Sequence, residues 1–105
     1  MIEAPDSSAS KPYQDDPGQL ENRPVAEIET ELDQKLLEEG HWTKFPTKDG
    51  NGVRYLDGKG GSVIINKGYS EGLQGGGDVL HRGPYIKIQP GGIRVPLAGN
   101  PAVGS

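Results

Sequence analysis

Apolar residues change their spacing twice along this chain. Over residues 1–21 (MIEAPDSSASKPYQDDPGQLE) they are scattered among Pro, Ser, Asp and Gln without a helical or strand period. A segment of that composition buries too little to offset the entropy of ordering, so it is expected to be a flexible acidic linker or tail. From Asn22 to Glu39 a period sets in. Val25, Ile28, Leu32 and Leu36 follow at intervals of 3, 4 and 4, which is one stripe of a helix. Asn22 or Arg23 suits the cap, Pro24 the first turn and Gly40 a left-handed stop. Glu31 and Lys35 are spaced as an i,i+4 ion pair, and Glu27 and Glu29 lie near the positive end of the helix dipole.

After Gly40 the punctuation is that of a β protein. Trp42 and Phe45 are the largest apolar side chains there, and Trp42 is expected to anchor the helix to a sheet. Asp49-Gly50-Asn51-Gly52 reads as a turn. Val53–Leu56 and Ser62–Asn66 read as strands joined through residues 57–61 (DGKGG). Residues 68–78 hold five glycines and are too permissive for a strand. Two more strands are expected, over Val79–Gln89 and Ile93–Leu97, and residues 98–105 read as loop. A two-residue turn at Pro90-Gly91 sets Ile88 opposite Ile93, Lys87 opposite Arg94 and Ile86 opposite Val95. The pleat then gathers Ile86, Ile88, Ile93 and Val95 on one face, and His81, Tyr85, Lys87 and Arg94 on the other. The expected fold is α+β: one helix packed on a twisted antiparallel sheet of about four strands. A disordered tail (1–21) precedes this single small domain (22–105).

Composition narrows the function classes. At 105 residues with 31% hydrophobic content, 17 Gly and 9 Pro, one small core is the ceiling. Zero Cys excludes disulfides, thiolate zinc sites and cysteine nucleophiles, and favours work in a reducing compartment. No apolar run approaches the roughly 18–20 residues of a membrane-spanning helix, so membrane insertion is not expected. No Gly-x-Ser-x-Gly elbow occurs, and Gly75-Gly76-Gly77 lacks the context of a nucleotide loop. The net charge of −4 hides a split. Residues 1–40 carry three Lys/Arg against eleven acids, a net of −8, and residues 41–105 carry eight against four, a net of +4. A basic, Gly-rich part behind an acidic front suggests a polyanion-binding module, with the acidic segment as a candidate mask for the basic face.

The polar face of the last hairpin offers an imidazole, a phenol, an amine and a guanidinium, with no carboxylate. His41 and His81 are the two histidines and acids do not cluster, so neither a metal nor another cofactor is expected. Such a set suits metal-free phosphoryl transfer on RNA. A base takes the proton of the ribose 2′-hydroxyl, the oxygen attacks phosphorus, and an acid protonates the leaving 5′-oxygen. His81 is the acid or base, Lys87 and Arg94 hold the phosphate, and Tyr85 orients it or stacks a base. Arg54, Lys67, Arg82 and His41 are the further substrate-binding candidates. Against this stand plainer readings: His81 as strand scaffold, Tyr85 as a half-buried strand residue, and His41 as packing at the helix exit. Lys87 facing Arg94 is repulsive, which argues mildly for an anion between them.

The segments 53–61 (VRYLDGKGG), 77–85 (GDVLHRGPY) and 93–101 (IRVPLAGNP) resemble the C-terminal toxin domains of bacterial polymorphic toxin systems, of the contact-dependent inhibition and Rhs type. Many of these belong to the barnase–EndoU–colicin–RelE-like ribonuclease group. The resemblance covers about 60 of the 105 residues. It implies a metal-independent ribonuclease, often aimed at tRNA, secreted as the tip of a larger protein and acting in the target-cell cytoplasm. It also implies a cognate immunity protein as partner, and the chain itself is expected to be a monomer. His81, Lys87 and Arg94 are the positions that carry over. No Glu stands out as the catalytic one and there is no certain second His, departures from the family pattern that leave open which group is base and which is acid. The alternatives are a non-catalytic binding module of a secreted or phage structural protein, and a nucleotide or NAD hydrolase.

Overall fold

In the computed structural model, which describes residues 4–48, 50–67 and 83–103, the apolar stripe of residues 25–36 is the spine of the helical layer. Helix α2 spans Val25–Leu32 and buries Ile28 and Leu32. The chain continues over Asp33–Glu39 as a π-helical stretch that still buries Leu36. The Lys35 charge helps to hold the Glu31 carboxyl below its ordinary pKa without a direct ion pair. Lys35 pairs with Glu39 at 3.7 Å instead, and Glu31 accepts from the Tyr13 hydroxyl at 2.8 Å and from Arg23 at 3.1 Å. The cap position is Pro24, in extended backbone, rather than Asn22 or Arg23. Gly40 is not left-handed (φ −92°), and His41 carries the positive φ (59°). A Cβ on Gly40 would stand 2.8 Å from Ala9 Cβ and 2.9 Å from the Leu36 carbonyl, so close packing is what requires glycine there.

The Ala9 contact belongs to the segment expected to be a tail. Its described residues instead form three short helical turns: Ser7–Ser10, helix α1 (Lys11–Asp15) and Pro17–Leu20. Tyr13 and Leu20 are buried in the core with Ile28, Leu32, Leu36 and Trp42. Two such residues in a polar stretch make no period, yet each fills a gap in the core, and burying one is worth about 1.5–3 kcal/mol. Backbone ties complete the attachment. The Trp42 Nε1–H donates to the Asp6 carbonyl at 2.7 Å, and the Asp6 N–H to the Gly40 carbonyl at 2.8 Å. The Asn22 N–H donates to the Pro96 carbonyl at 3.1 Å, along the last strand.

Five strands follow among the described residues: β1 (Thr43–Pro46), β2 (Gly52–Leu56), β3 (Ser62–Asn66), β4 (Tyr85–Gln89) and β5 (Ile93–Pro96). They form an antiparallel meander in chain order, one strand more than expected because β1 was not foreseen. The pairs Ile86–Val95, Lys87–Arg94 and Ile88–Ile93 are those the turn arithmetic predicts. Positive φ at both Gly91 (111°) and Gly92 (62°) lets the chain reverse there. Residues 68–82, including the expected glycine-rich loop and the beginning of the fourth segment, lie outside the described residues. The fold is therefore α+β, with a helical layer on one sheet face. That face contributes Tyr55, Val63, Ile65, Ile86, Ile88 and Val95 to the core. Polar clamps border it. Lys44 Nζ donates to Glu29 at 2.7 Å and Asp33 at 3.0 Å, and the Tyr55 hydroxyl donates to Asp33 at 2.8 Å. Among the described residues no helix is long and apolar enough to cross a membrane.

Asp57, 2% exposed, organises the β2–β3 loop. Its Oδ1 accepts from the Lys59 N–H at 2.7 Å and the Gly61 N–H at 2.8 Å. Burial alone would raise its pKa, but the Lys59 N–H, the Ser7 side chain, the Gly61 N–H and the Lys59 charge together hold it below the ordinary value.

Two expectations follow from this packing. Leu20→Ala lowers the unfolding free energy by about 2–5 kcal/mol in urea; a change under about 0.5 kcal/mol would return the segment to the status of a tail. Asp57 stabilises the fold above its unfolded-state pKa of about 3.9, and that contribution disappears as pH falls through its lower folded value. The stability gap between the native chain and Asp57→Asn should accordingly be full at pH 7 and shrink below about pH 4.

Candidate functional site

The site begins with the pleat. Residues that oppose one another across antiparallel strands share a face, so Phe45, Arg54, Ile64, Lys87 and Arg94 form one row crossing all five strands. This row lies on the face away from the helices. Arg54 and Lys87 are half-buried, and Arg94 is exposed. Ile64 separates Arg54 from Lys87 and offers apolar floor for their stems. The Arg54 guanidinium lies over the Phe45 ring, 5.6 Å from its centroid. Phe45 is 40% exposed, the one large hydrophobic side chain left that open among the described residues. The buried Nε of Arg54 finds no hydrogen-bond partner. No Asp or Glu stands on this face of the described strands.

The structure brings together part of the predicted set. Lys87 and Arg94 oppose each other directly, and Arg54 joins them through the β2–β3–β4 register. Tyr85 lies on the same face, two residues from Lys87 and opposite Asn66 and Pro96. At 8% exposure it leaves little ring surface for a stacked base. Lys67 falls on the other side of the sheet. By alternation with Val63 and Ile65 it points toward the helical layer, where it lines a cavity of about 220 Å³ with Glu29, Val25 and Val53. His41 is exposed where the chain enters β1, three strands from Lys87, so it is not part of the cationic cluster. His81 and Arg82 lie outside the described residues. Phe45 is the member that sequence reasoning missed. Its signal is the brief alternation Trp42, Lys44 inward and Thr43, Phe45 outward, directly before a turn.

The two faces are electrically opposite. Every described acidic residue except Asp57 belongs to residues 4–40, and that segment packs on the aliphatic face. The acidic front therefore does not cover the cations as expected, because its buried side chains Tyr13, Leu20, Ile28 and Leu32 commit it to the opposite side. Among the described residues no group of three or more His, Asp or Glu is placed to hold a metal ion. No family model, curated protein or solved structure matches this chain.

A like-charged pair directly across two strands lowers stability. Arg94→Thr should therefore raise the stability of the unliganded protein at low ionic strength by about 0.2–1 kcal/mol, a gain that fades toward 1 M salt. Thermal melting at both salt concentrations checks this. A loss above about 1 kcal/mol would make Arg94 a structural residue rather than a binding one.

Proposed function

We propose that the protein is a metal-independent endoribonuclease domain of the polymorphic-toxin kind, which lays RNA, tRNA being the expected target, on the cationic sheet face. The observation that carries this reading is the alignment of Arg54, Lys87 and Arg94 in one row, with no carboxylate on the same face of the described strands. Cations lined up on a sheet, with no acid beside them among the described strand residues, are suited to a polyphosphate backbone. They leave the acidic helical layer facing away from the approaching RNA.

In the proposed reaction the ribose 2′-oxygen attacks phosphorus and the P–O5′ bond breaks. The products are a 2′,3′-cyclic phosphate and a free 5′-hydroxyl. Lys87 and Arg94 hold the non-bridging oxygens, where charge accumulates in the transition state. His81 moves a proton, either from the 2′-hydroxyl or to the leaving oxygen. Tyr85 and Arg82 flank it in sequence, and Tyr85, largely buried beside Lys87, acts by position rather than by stacking. Arg54 binds backbone further along the row. The same basic face suits an acidic immunity protein, and the resemblance implies delivery as the tip of a larger secreted protein by a monomeric domain.

Purified protein incubated with total tRNA in EDTA should give discrete fragments with cyclic phosphate ends. Lys87→Ala and Arg94→Ala should each slow cleavage by about a hundredfold or more, and His81→Ala should abolish it. Cleavage that needs a divalent cation, or that survives Arg94→Ala at full rate, would overturn the proposal. RNA binding without cleavage would point to the non-catalytic binding module instead.

A further inference from the structure

The row of outward-facing residues has a direction, with an aromatic ring at one end and cations along the rest. We infer that the site takes a single strand rather than a duplex, laid across the β-strands, with one base stacked at Phe45 and the reacting phosphate at Lys87 and Arg94. This inference rests on the ribonuclease reading and adds the substrate class and its polarity on the protein.

Three observations support it. The cations form one line, Arg54 to Lys87 to Arg94, which follows one phosphate backbone rather than the two of a duplex. Phe45 closes that line on the edge strand, 40% exposed, with the Arg54 guanidinium held against its ring. A stacking platform beside a basic track is the arrangement that binds unpaired nucleic acid, whereas a duplex keeps its bases stacked inside and offers none to the ring. The length also fits. Phe45 on β1 and Lys87 on β4 are three strand spacings apart, about 14 Å at ~4.8 Å each. An unpaired strand laid along this line spans that distance with a few nucleotides. The stacked base is thus held about 14 Å from the bond that breaks, so Phe45 selects the substrate without taking part in the chemistry.

A 2′-O-methyl oligoribonucleotide of eight nucleotides cannot undergo 2′-attack, and so separates binding from cleavage. Fluorescence anisotropy at low salt should show tighter binding of this single strand than of its own duplex. Phe45→Ala should weaken single-strand binding about tenfold while leaving duplex binding unchanged. Phe45→Leu keeps the apolar bulk of the strand edge and should lose the same affinity, whereas Phe45→Trp should retain it. If Phe45→Ala and Phe45→Leu bind the single strand as tightly as the native chain, or the duplex binds equally well, the single-strand track is wrong. If Lys87→Ala and Arg94→Ala also leave affinity unchanged, the ribonuclease reading fails with it.

Discussion

In a meander each strand pairs only with its neighbours in the chain, so one pleat is carried from edge to edge and every side chain is assigned to one of two faces. Here that single alternation does two jobs. It sends Tyr55, Val63, Ile65, Ile86, Ile88 and Val95 toward the helices, and it sends Phe45, Arg54, Ile64, Lys87 and Arg94 the other way. A one-residue slip of β2, β4 or β5 would turn a cation (Arg54, Lys87 or Arg94) inward and an aliphatic outward, at a cost of several kcal/mol. The need to bury the aliphatics therefore forces the cations into line.

The helical layer protects this register by packing on the inward face. Trp42 lies where the π-helical stretch ends and β1 begins, and its indole N–H holds the N-terminal segment through Asp6. Lys44 and Tyr55 reach Glu29 and Asp33 from adjacent strands, tying β1 and β2 to α2. The described acids of residues 4–40 are used partly in these clamps, and they remain on the helical side. Charge separation across the sheet is thus a consequence of packing.

Much of this was legible in the sequence, and the failures have physical causes. The stripe of Val25, Ile28, Leu32 and Leu36 identified the helix because burial demands that spacing. The turn at Pro90-Gly91 identified the partners of Lys87 because a short hairpin permits few registers. The N-terminal segment was misread because Tyr13 and Leu20 are too sparse to form a pattern, although both are buried. Strand β1 escaped notice because four residues ending in Pro46 carry a weak strand signal. With it went the place of Phe45 in the site. Lys67 was grouped with the other cations by charge alone, and alternation along β3 assigns it to the opposite side. Arg54 was included by its charge, but its alignment with Lys87 depends on how β2 pairs with β3, which composition does not encode.

The account stands or falls on which face meets the polyanion. Amide chemical-shift mapping on isotope-labelled protein, titrated with an uncleavable 2′-O-methyl oligonucleotide, reads this directly. The largest shifts should fall on Arg54, Lys87, Arg94 and their strand neighbours, with α2 nearly silent. Shifts centred on residues 25–39, or none on β4 and β5, would contradict it.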